Sequence, residues 1–315
     1  MEMNGQPHGK DIPAFNMNKK RAARTNPDPL VVERFRKLLA DRKRDPDLFV
    51  LFHKIILSYY EDAGRDLVWR HTTDPYHLLV SEIMLQQTQV GRVAIKYPEF
   101  IAAVPTCASL ADAPLHRVLA VWQGMGYNRR AIALHACARQ VMTTFGGEVP
   151  QDVDTLATLP GIGHATACSI AAFAFNMPVV FIETNIRRVF IHFFFHDRMS
   201  VTDREIFPLV EQSLDAGNPR RWYWALMEYG AALKQAILNP NRRSAHYTKQ
   251  SKFEGSDREI RGMILRAFVA NPRQDRYALI KSIPHEPERV KRIIDHLVKE
   301  GFLSMDRETL SIRER

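Results

Sequence analysis

The chain has 315 residues, 44 lysines and arginines against 35 aspartates and glutamates, a formal charge of +9 at pH 7, and 45% hydrophobic residues. That length accommodates two domains at about 100–200 residues each, and the apolar fraction supports packed cores, so wholesale disorder is excluded. No apolar run reaches the roughly 18 residues of a membrane span; the longest, Ile170 to Ile182, is broken by Asn176 and Pro178. The opening Met-Glu-Met-Asn-Gly lacks the apolar stretch of a secretory signal, so the expectation is a soluble cytoplasmic protein that makes no membrane contact. The three cysteines, 107, 137 and 168, form no Cys-x-x-Cys pair and read as reduced buried thiols, neither a zinc site nor a disulfide framework. The positive balance suits a nucleic-acid partner and is shared by many proteins that bind none.

Residues 1–29 hold the basic knot Lys19-Lys20-Arg21 with Arg24 and no periodic apolar pattern. They read as a flexible tail, either a non-specific phosphate contact or a segment without a role. From Asp28-Pro29 helices dominate. Val31, Phe35, Leu38 and Leu39 share one face, and beyond Pro46 so do Phe49, Phe52, Ile55, Ile56 and Tyr59. Asp74-Pro75 pairs an N-cap with proline at the first helical position and opens a helix through Leu78, Leu79, Ile83 and Leu85. Further helices are punctuated by Val104-Pro105, Ala113-Pro114, Gly146-Gly147, Val149-Pro150 and Met177-Pro178. Strand-like alternation is scarce before residue 300, so the body, 30–254, is expected to be all-α.

At Asn239-Pro240-Asn241-Arg242-Arg243 the texture turns polar and basic as far as Gly255, a stretch that reads as a linker or an irregular surface segment. Over 255–315, Ile260, Ile264, Leu265 and Phe268 mark one helix, Tyr277 to Ile283 a second, and Val290 to Val298 a third. Phe302-Leu303-Ser304 and Leu310-Ser311-Ile312 then flank Asp306-Arg307 as a hairpin. Three helices and a terminal hairpin make a winged-helix-like module. Its third helix, with Arg289, Lys291 and Arg292, is either a groove reader or a solvated face, and such modules also mediate protein contacts.

The segment richest in chemical meaning is Leu159-Pro160-Gly161-Ile162-Gly163, between helical runs 152–158 and 164–175. Two glycines two apart permit a tight turn and leave backbone amides free at the start of the next helix, a cradle for phosphate. This looks like a helix-hairpin-helix, which grips the DNA backbone without reading sequence. The plainer alternative is an ordinary turn between helices.

The neighbouring motifs shift that balance. Arg65-Asp66-Leu67-Val68-Trp69-Arg70, Asp74-Pro75-Tyr76, and Ser81-Glu82-Ile83-Met84-Leu85-Gln86-Gln87-Thr88-Gln89-Val90 closely resemble the signature of MutY-type adenine DNA glycosylases. Trp122-Gln123-Gly124-Met125-Gly126-Tyr127 and Leu134-His135 resemble the next family motif, and Glu183-Thr184-Asn185-Ile186-Arg187-Arg188-Val189 stands where the family has Asp-Gly-Asn. The resemblance covers about residues 48–236. It implies the helix-hairpin-helix base-excision superfamily, in which two all-α lobes enclose a cleft for a flipped nucleotide, here followed by the winged-helix-like module. By the same resemblance, Arg65, Trp69, Arg70 and Ala165 line the base pocket, and Gln86, Gln87, Thr88, Met125 and Tyr127 probe or wedge double-stranded DNA. Leu159, Gly161, Gly163 and His164 hold the phosphate backbone, where a monovalent cation can also bind.

Hydrolysing an N-glycosidic bond needs a protonated leaving base and a stabilised cationic sugar, as in glycosidases that pair a carboxylic acid with a carboxylate. The resemblance makes Glu82 the acid. Leu78, Leu79 and Leu85, at i−4, i−3 and i+3 from it, would raise its pKa and keep it protonated. Glu183, with Asn185 beside it, takes the place of the family aspartate that supports the oxocarbenium-like centre, one methylene longer. Displacing such a group by about 1 Å can cost on the order of 100-fold in rate. The alternative for Glu183 is a helix-capping carboxylate in a chain of lost or changed activity. Ala165 stands where bifunctional relatives carry a lysine that forms a Schiff base, so monofunctional hydrolysis without strong lyase activity is expected.

MutY and endonuclease III also carry four cysteines that ligate an iron–sulfur cluster after the Glu-x-Gly-Ala segment. Here Lys234 falls at the first ligand position and no cysteine follows 168, so neither cluster nor other metal is expected. Arg242, Arg243 and Lys249, with His246, Tyr247 and Lys252, either contact phosphate directly or form an ordinary basic loop. The family's C-terminal Nudix-like domain, which helps recognise 8-oxoguanine opposite adenine, does not fit in the last sixty residues. The expectation is therefore a monomeric base-excision-repair glycosylase located with the nucleoid, releasing a damaged or mispaired purine, adenine first. The alternatives are a glycosylase for deaminated or alkylated purines and a non-catalytic DNA-binding or lesion-scanning protein.

Overall fold

The computed structural model describes residues 28–41, 46–248 and 253–313. Fifteen α-helices run in order: α1 (Pro29–Asp41), α2 (Pro46–Ala63), α3 (Pro75–Leu85), α4 (Val90–Ala103), α5 (Cys107–Asp112), α6 (Leu115–Val121), α7 (Arg129–Phe145), α8 (Val153–Ala157), α9 (His164–Phe175), α10 (Thr184–Phe194), α11 (Asp203–Gln212), α12 (Pro219–Ala236), α13 (Asp257–Ala270), α14 (Arg276–Ser282) and α15 (Pro287–Lys299). Three short strands, β1 (Arg273–Asp275), β2 (Leu303–Asp306) and β3 (Thr309–Ile312), belong to the C-terminal module.

The helices form two lobes. In one, α1, α2, α10, α11 and α12 pack together around aromatic residues. Phe35 meets Phe193 edge-on at 5.1 Å between ring centroids, and Phe52 meets Phe190 at 5.4 Å and Trp222 at 5.8 Å. Edge-to-face pairs of this kind contribute about 0.5–1.5 kcal/mol each beyond area burial. The other lobe contains α3 to α9, with Phe100 against Trp122 and Trp69 against Tyr97. α9 packs on α12, so the N-termini of α9 and α10 come from opposite sides of one seam.

The start of α3 forms as its sequence dictates: the Asp74 side chain accepts from the His77 amide and Pro75 takes the first helical position. Its end is held by Arg130 of α7, whose Nη1 donates to the carbonyls of Ile83 and Met84, each at 2.9 Å, and of Gln86 at 2.6 Å. A guanidinium satisfying three terminal carbonyls fixes where α3 stops, immediately beyond Glu82. α10 and α12 approach closely at Gly230, where an added Cβ would lie 2.4 Å from the Asn185 carbonyl oxygen.

The C-terminal module has the order helix, strand, helix, helix, hairpin, with strands arranged β1-β3-β2 and antiparallel throughout. Val290, Ile293, Ile294 and Leu297 bury one face of α15. The three helices and the hairpin were legible in the sequence; β1 was not, because Arg273-Gln274-Asp275 is wholly polar and owes its extended form to backbone pairing with β3. The segment after Pro240 also differs from a linker. Residues 240–243 form a 3-10 turn with Pro240 and Asn241 buried, and the stretch around Ser244 pairs with Val201, whose amide donates to the Arg243 carbonyl and whose carbonyl accepts from the Ala245 amide. Asn241 explains this anchoring: its side-chain amide donates to the Thr184 carbonyl at 2.8 Å.

Candidate active site

Glu82 lies on the last turn of α3 with its carboxyl facing α9, where the Ser169 hydroxyl donates to Oε2 at 2.7 Å. Burial raises its pKa to about 7, the Ser169 hydrogen bond opposes the rise, the Glu183 charge adds to it and Arg70 opposes it. The two carboxyls, 101 residues apart in sequence, therefore share one electrostatic site.

Glu183 is the N-cap of α10. Its Oε1 accepts from the amides of Asn185 (2.7 Å) and Ile186 (2.9 Å), and its Oε2 accepts from the Asn185 side-chain amide at 3.2 Å. Burial pushes its pKa up, while those amides and the nearby Arg188 and Arg187 hold it down. The field of a charged Glu183 is part of what keeps the proton on Glu82. Burial thus pushes both carboxyls up, and Glu183, unlike Glu82, is held by two backbone amides and two nearby guanidinium groups. The capping role and the position beside Glu82 are both present in this one side chain. Asn185 is fixed in turn by Arg188, whose Nη1 donates to Asn185 Oδ1 (2.6 Å) and to the Gly230 carbonyl (2.7 Å).

The hairpin folds as its glycines require. Gly161 adopts φ +81° and lies so near Ala133 that an added Cβ would be 2.7 Å from the Ala133 Cβ; Ile162 N donates to the Leu159 carbonyl across the turn. Gly163 caps α9 with no side chain over the first turn, and Gly163, His164 and Ala165 are exposed. The amides of that first turn have no acceptor within the helix and face outward, as phosphate binding needs. Gln86 ties the hairpin to α3 by donating to the Gly161 carbonyl at 3.2 Å and to Thr166 Oγ1 at 3.4 Å.

Other candidate positions fall into place unevenly. Gln87 is exposed with φ +52°, and Thr88 accepts from Arg130 Nη2 at 2.8 Å. Tyr127, at φ +49° and half-buried, receives a hydrogen bond on its hydroxyl from Arg258 of α13 at 2.7 Å. Met125 is buried in the core, its side chain folded inward while Gly124 and Gly126 stay exposed. Leu159 is likewise a core side chain. Trp69 packs on Tyr97, buried inside the α3–α9 lobe. Arg65 and Arg70 are taken by the buried Glu228, at 2.7 and 2.8 Å, and Arg70 also lies over Trp224 at 5.5 Å. The three form an ion triad, and the charge of Arg70 reaches Glu82. Ala165 lies on the exposed start of α9.

The C-terminal cations are less available than their number suggests. Arg243 donates to the His196 carbonyl, so it faces inward; Arg242 is exposed; Lys249 and Lys252 lie outside the described residues. On α15, Arg289 and Arg292 both reach Asp257, at 2.6 and 3.6 Å, and Lys291 is 3.8 Å from Glu288. The residues at the end of α12 do not fit an iron–sulfur cluster: Lys234 and the 240–244 turn bring amine, guanidinium, amide and hydroxyl groups and no thiolate, and all three cysteines are buried elsewhere.

Four functional residues escaped the sequence reading. Ser169 had a signal, the one hydroxyl in the apolar run 167–175 and one turn beyond Ala165, and so had Glu228, a lone carboxylate in the helical run 222–233. Arg130 and Arg188 had none, since each reaches backbone carbonyls far away in sequence, those of Ile83, Met84 and Gln86 for Arg130 and that of Gly230 for Arg188.

Two helical lobes, one of them carrying a glycine hairpin, with the Glu82 and Glu183 carboxyls brought together across the seam between them, are the architecture of a helix-hairpin-helix DNA glycosylase. Comparison with known proteins agrees. The HhH-GPD superfamily base excision DNA repair protein model matches residues 80–212. The adenine DNA glycosylase of Mycolicibacterium smegmatis is 33% identical over 268 residues, covering 79% of this chain and 91% of that protein. Its Mycobacterium tuberculosis counterpart is 42% identical over 135 residues (42% of this chain, 44% of that one), and the human one 34% over 202 residues (60% and 37%). Among solved structures, a thermostable thymine-DNA glycosylase aligns at TM-score 0.53 with 26% identity, over 61% of this chain and 88% of that chain. The chain belongs to the HhH-GPD superfamily of base excision DNA repair proteins.

Proposed function

We propose that this glycosylase is adenine-directed and monofunctional, acting on duplex DNA as a cluster-free monomer at the nucleoid. The observation that carries the reading is the buried Glu82 carboxyl, bound by the Ser169 hydroxyl and pushed up to about 7, within the field of the amide-capped Glu183. Glu82 gives its proton to a ring nitrogen of the flipped purine, and the C–N bonding pair leaves with the neutralised base. The carboxylate of Glu183 faces the cationic sugar and takes up the proton that water releases on adding to it. Ala165 supplies no amine, so the product is an abasic site and no Schiff base forms. Adenine is favoured because the curated relatives above are adenine DNA glycosylases.

A panel of duplexes bearing adenine opposite 8-oxoguanine, adenine opposite guanine, hypoxanthine, uracil and alkylpurines tests this. Alkali-labile cleavage is expected at adenine, with no borohydride-trapped adduct. Absence of cleavage on every duplex, or full activity in Glu82→Gln, would overturn the catalytic reading; release of hypoxanthine or alkylpurines alone would overturn the adenine assignment.

A further inference from the structure

A second pocket takes no part in this chemistry. It has a volume of about 410 Å³ and lies between α1, the end of α10, the end of α12 and the 3-10 turn at 240–243. Val32, Leu233 and Ile237 give it an apolar wall; Arg36, Arg242, Arg243, His192 and His196 give it a basic one.

The polar groups of this pocket are incompletely matched. Arg36 donates from Nη2 to the His192 carbonyl at 2.7 Å and leaves its Nε buried with no partner. His196 Nδ1 is also buried with no partner, although Arg243 donates to the carbonyl of the same residue. Burial, with Arg36, Arg243 and His196 close by, drives His192 down to about 3, so its ring is neutral. Burial and the neighbouring Arg243 lower Arg36 as well. Against these cations stands Asp197, an exposed carboxylate whose field reaches His196 and Arg243. Asp28, at the start of α1, already accepts from the Leu30 amide. Three guanidinium groups are thus gathered in one cavity with one carboxylate facing them and two buried nitrogens unsatisfied.

We propose that this pocket binds a phosphate-bearing anion through Arg36, Arg242 and Arg243. Guanidinium forks match phosphoryl oxygens in pairs, and Arg36 Nε and the His196 ring supply further hydrogen-bonding groups. An anion there relieves the mutual repulsion of the arginines, and the apolar wall takes the uncharged part of the ligand. The phosphoryl group has two sources, a free nucleotide or the backbone of bound DNA.

The test measures thermal stabilisation and calorimetric binding of the full chain with inorganic phosphate, adenosine monophosphate and a short undamaged duplex. Wild type, Arg36→Gln and Arg242→Gln are compared, with circular dichroism as the folding check. Arg242 is exposed, so its variant keeps the fold even if Arg36→Gln does not. Saturable binding of phosphate or the nucleotide is expected in wild type, weakened by about tenfold or more in each folded variant. Loss of duplex affinity in the same variants, with phosphate competing against the duplex, assigns the site to the DNA backbone. Unchanged duplex affinity with tighter nucleotide than phosphate binding assigns it to a free nucleotide. No saturable response to either anion, or the same response in wild type and variants, overturns the proposal. None of these readouts depends on base release.

Discussion

Replacing Glu82 by glutamine gives a stability signature that the raised carboxyl pKa fixes in sign and size. Folded Glu82 releases its proton at about 7, whereas the unfolded carboxyl does so near 4.5. Between these values the folded state binds more protons than the unfolded state, so the wild-type contribution falls as pH rises through this window and is level on either side. A difference from 4.5 to about 7, at about 1.36 kcal/mol for each pH unit, sets a ceiling on the order of 3 kcal/mol. Glutamine keeps an oxygen for the Ser169 hydroxyl and carries no charge, so its stability lacks this slope. Urea unfolding of both proteins at pH 5 and pH 8 isolates the effect from any constant cost of the substitution. The glutamine variant should gain up to about 3 kcal/mol relative to wild type on going from pH 5 to pH 8. Parallel stability curves for the two proteins would refute the claim that Glu82 is held protonated.

Three further substitutions probe the surroundings. Glu183→Ala removes the α10 cap and should cost about 1–2 kcal/mol in urea unfolding, together with at least about 100-fold in single-turnover base release. Glu228→Ala leaves Arg65 and Arg70 facing each other without their shared partner, and about 3–5 kcal/mol of stability should be lost by the same measurement. Gly230→Ala places a Cβ 2.4 Å from the Asn185 carbonyl oxygen; a loss of about 1–3 kcal/mol is expected, with a fall in kcat as α10 shifts away from α12. A Gly230→Ala protein as stable as wild type would show that the two helices can part freely.

The helices of the two lobes were readable because their caps and breakers are local: Asp74-Pro75 starts α3 and Gly163 starts α9 with no help from distant residues. The identities of Glu82 and Glu183 were readable through flanking motifs. Their mutual effect was not, because it depends on the end of α3 and the start of α10 coming together across the seam. Met125, Trp69 and Leu159 show the limit of motif reading: each stands in a motif tied to DNA, yet each is an apolar side chain that the fold uses as core. Arg243 shows the same limit for charge, since a basic run does not reveal which guanidinium turns inward to a carbonyl. Nor could sequence alone show that Arg258 of the C-terminal module would reach the Tyr127 hydroxyl and tie that module to the 122–127 turn.

The central claim is that Glu82 releases adenine by protonating it. Single-turnover release of free adenine from a duplex with adenine opposite 8-oxoguanine, measured from pH 5.5 to pH 9, tests it most directly. The rate is expected to decline above about pH 7, approaching tenfold per pH unit as Glu82 loses its proton. A rate independent of pH up to 9, or no adenine released at any pH, would contradict it.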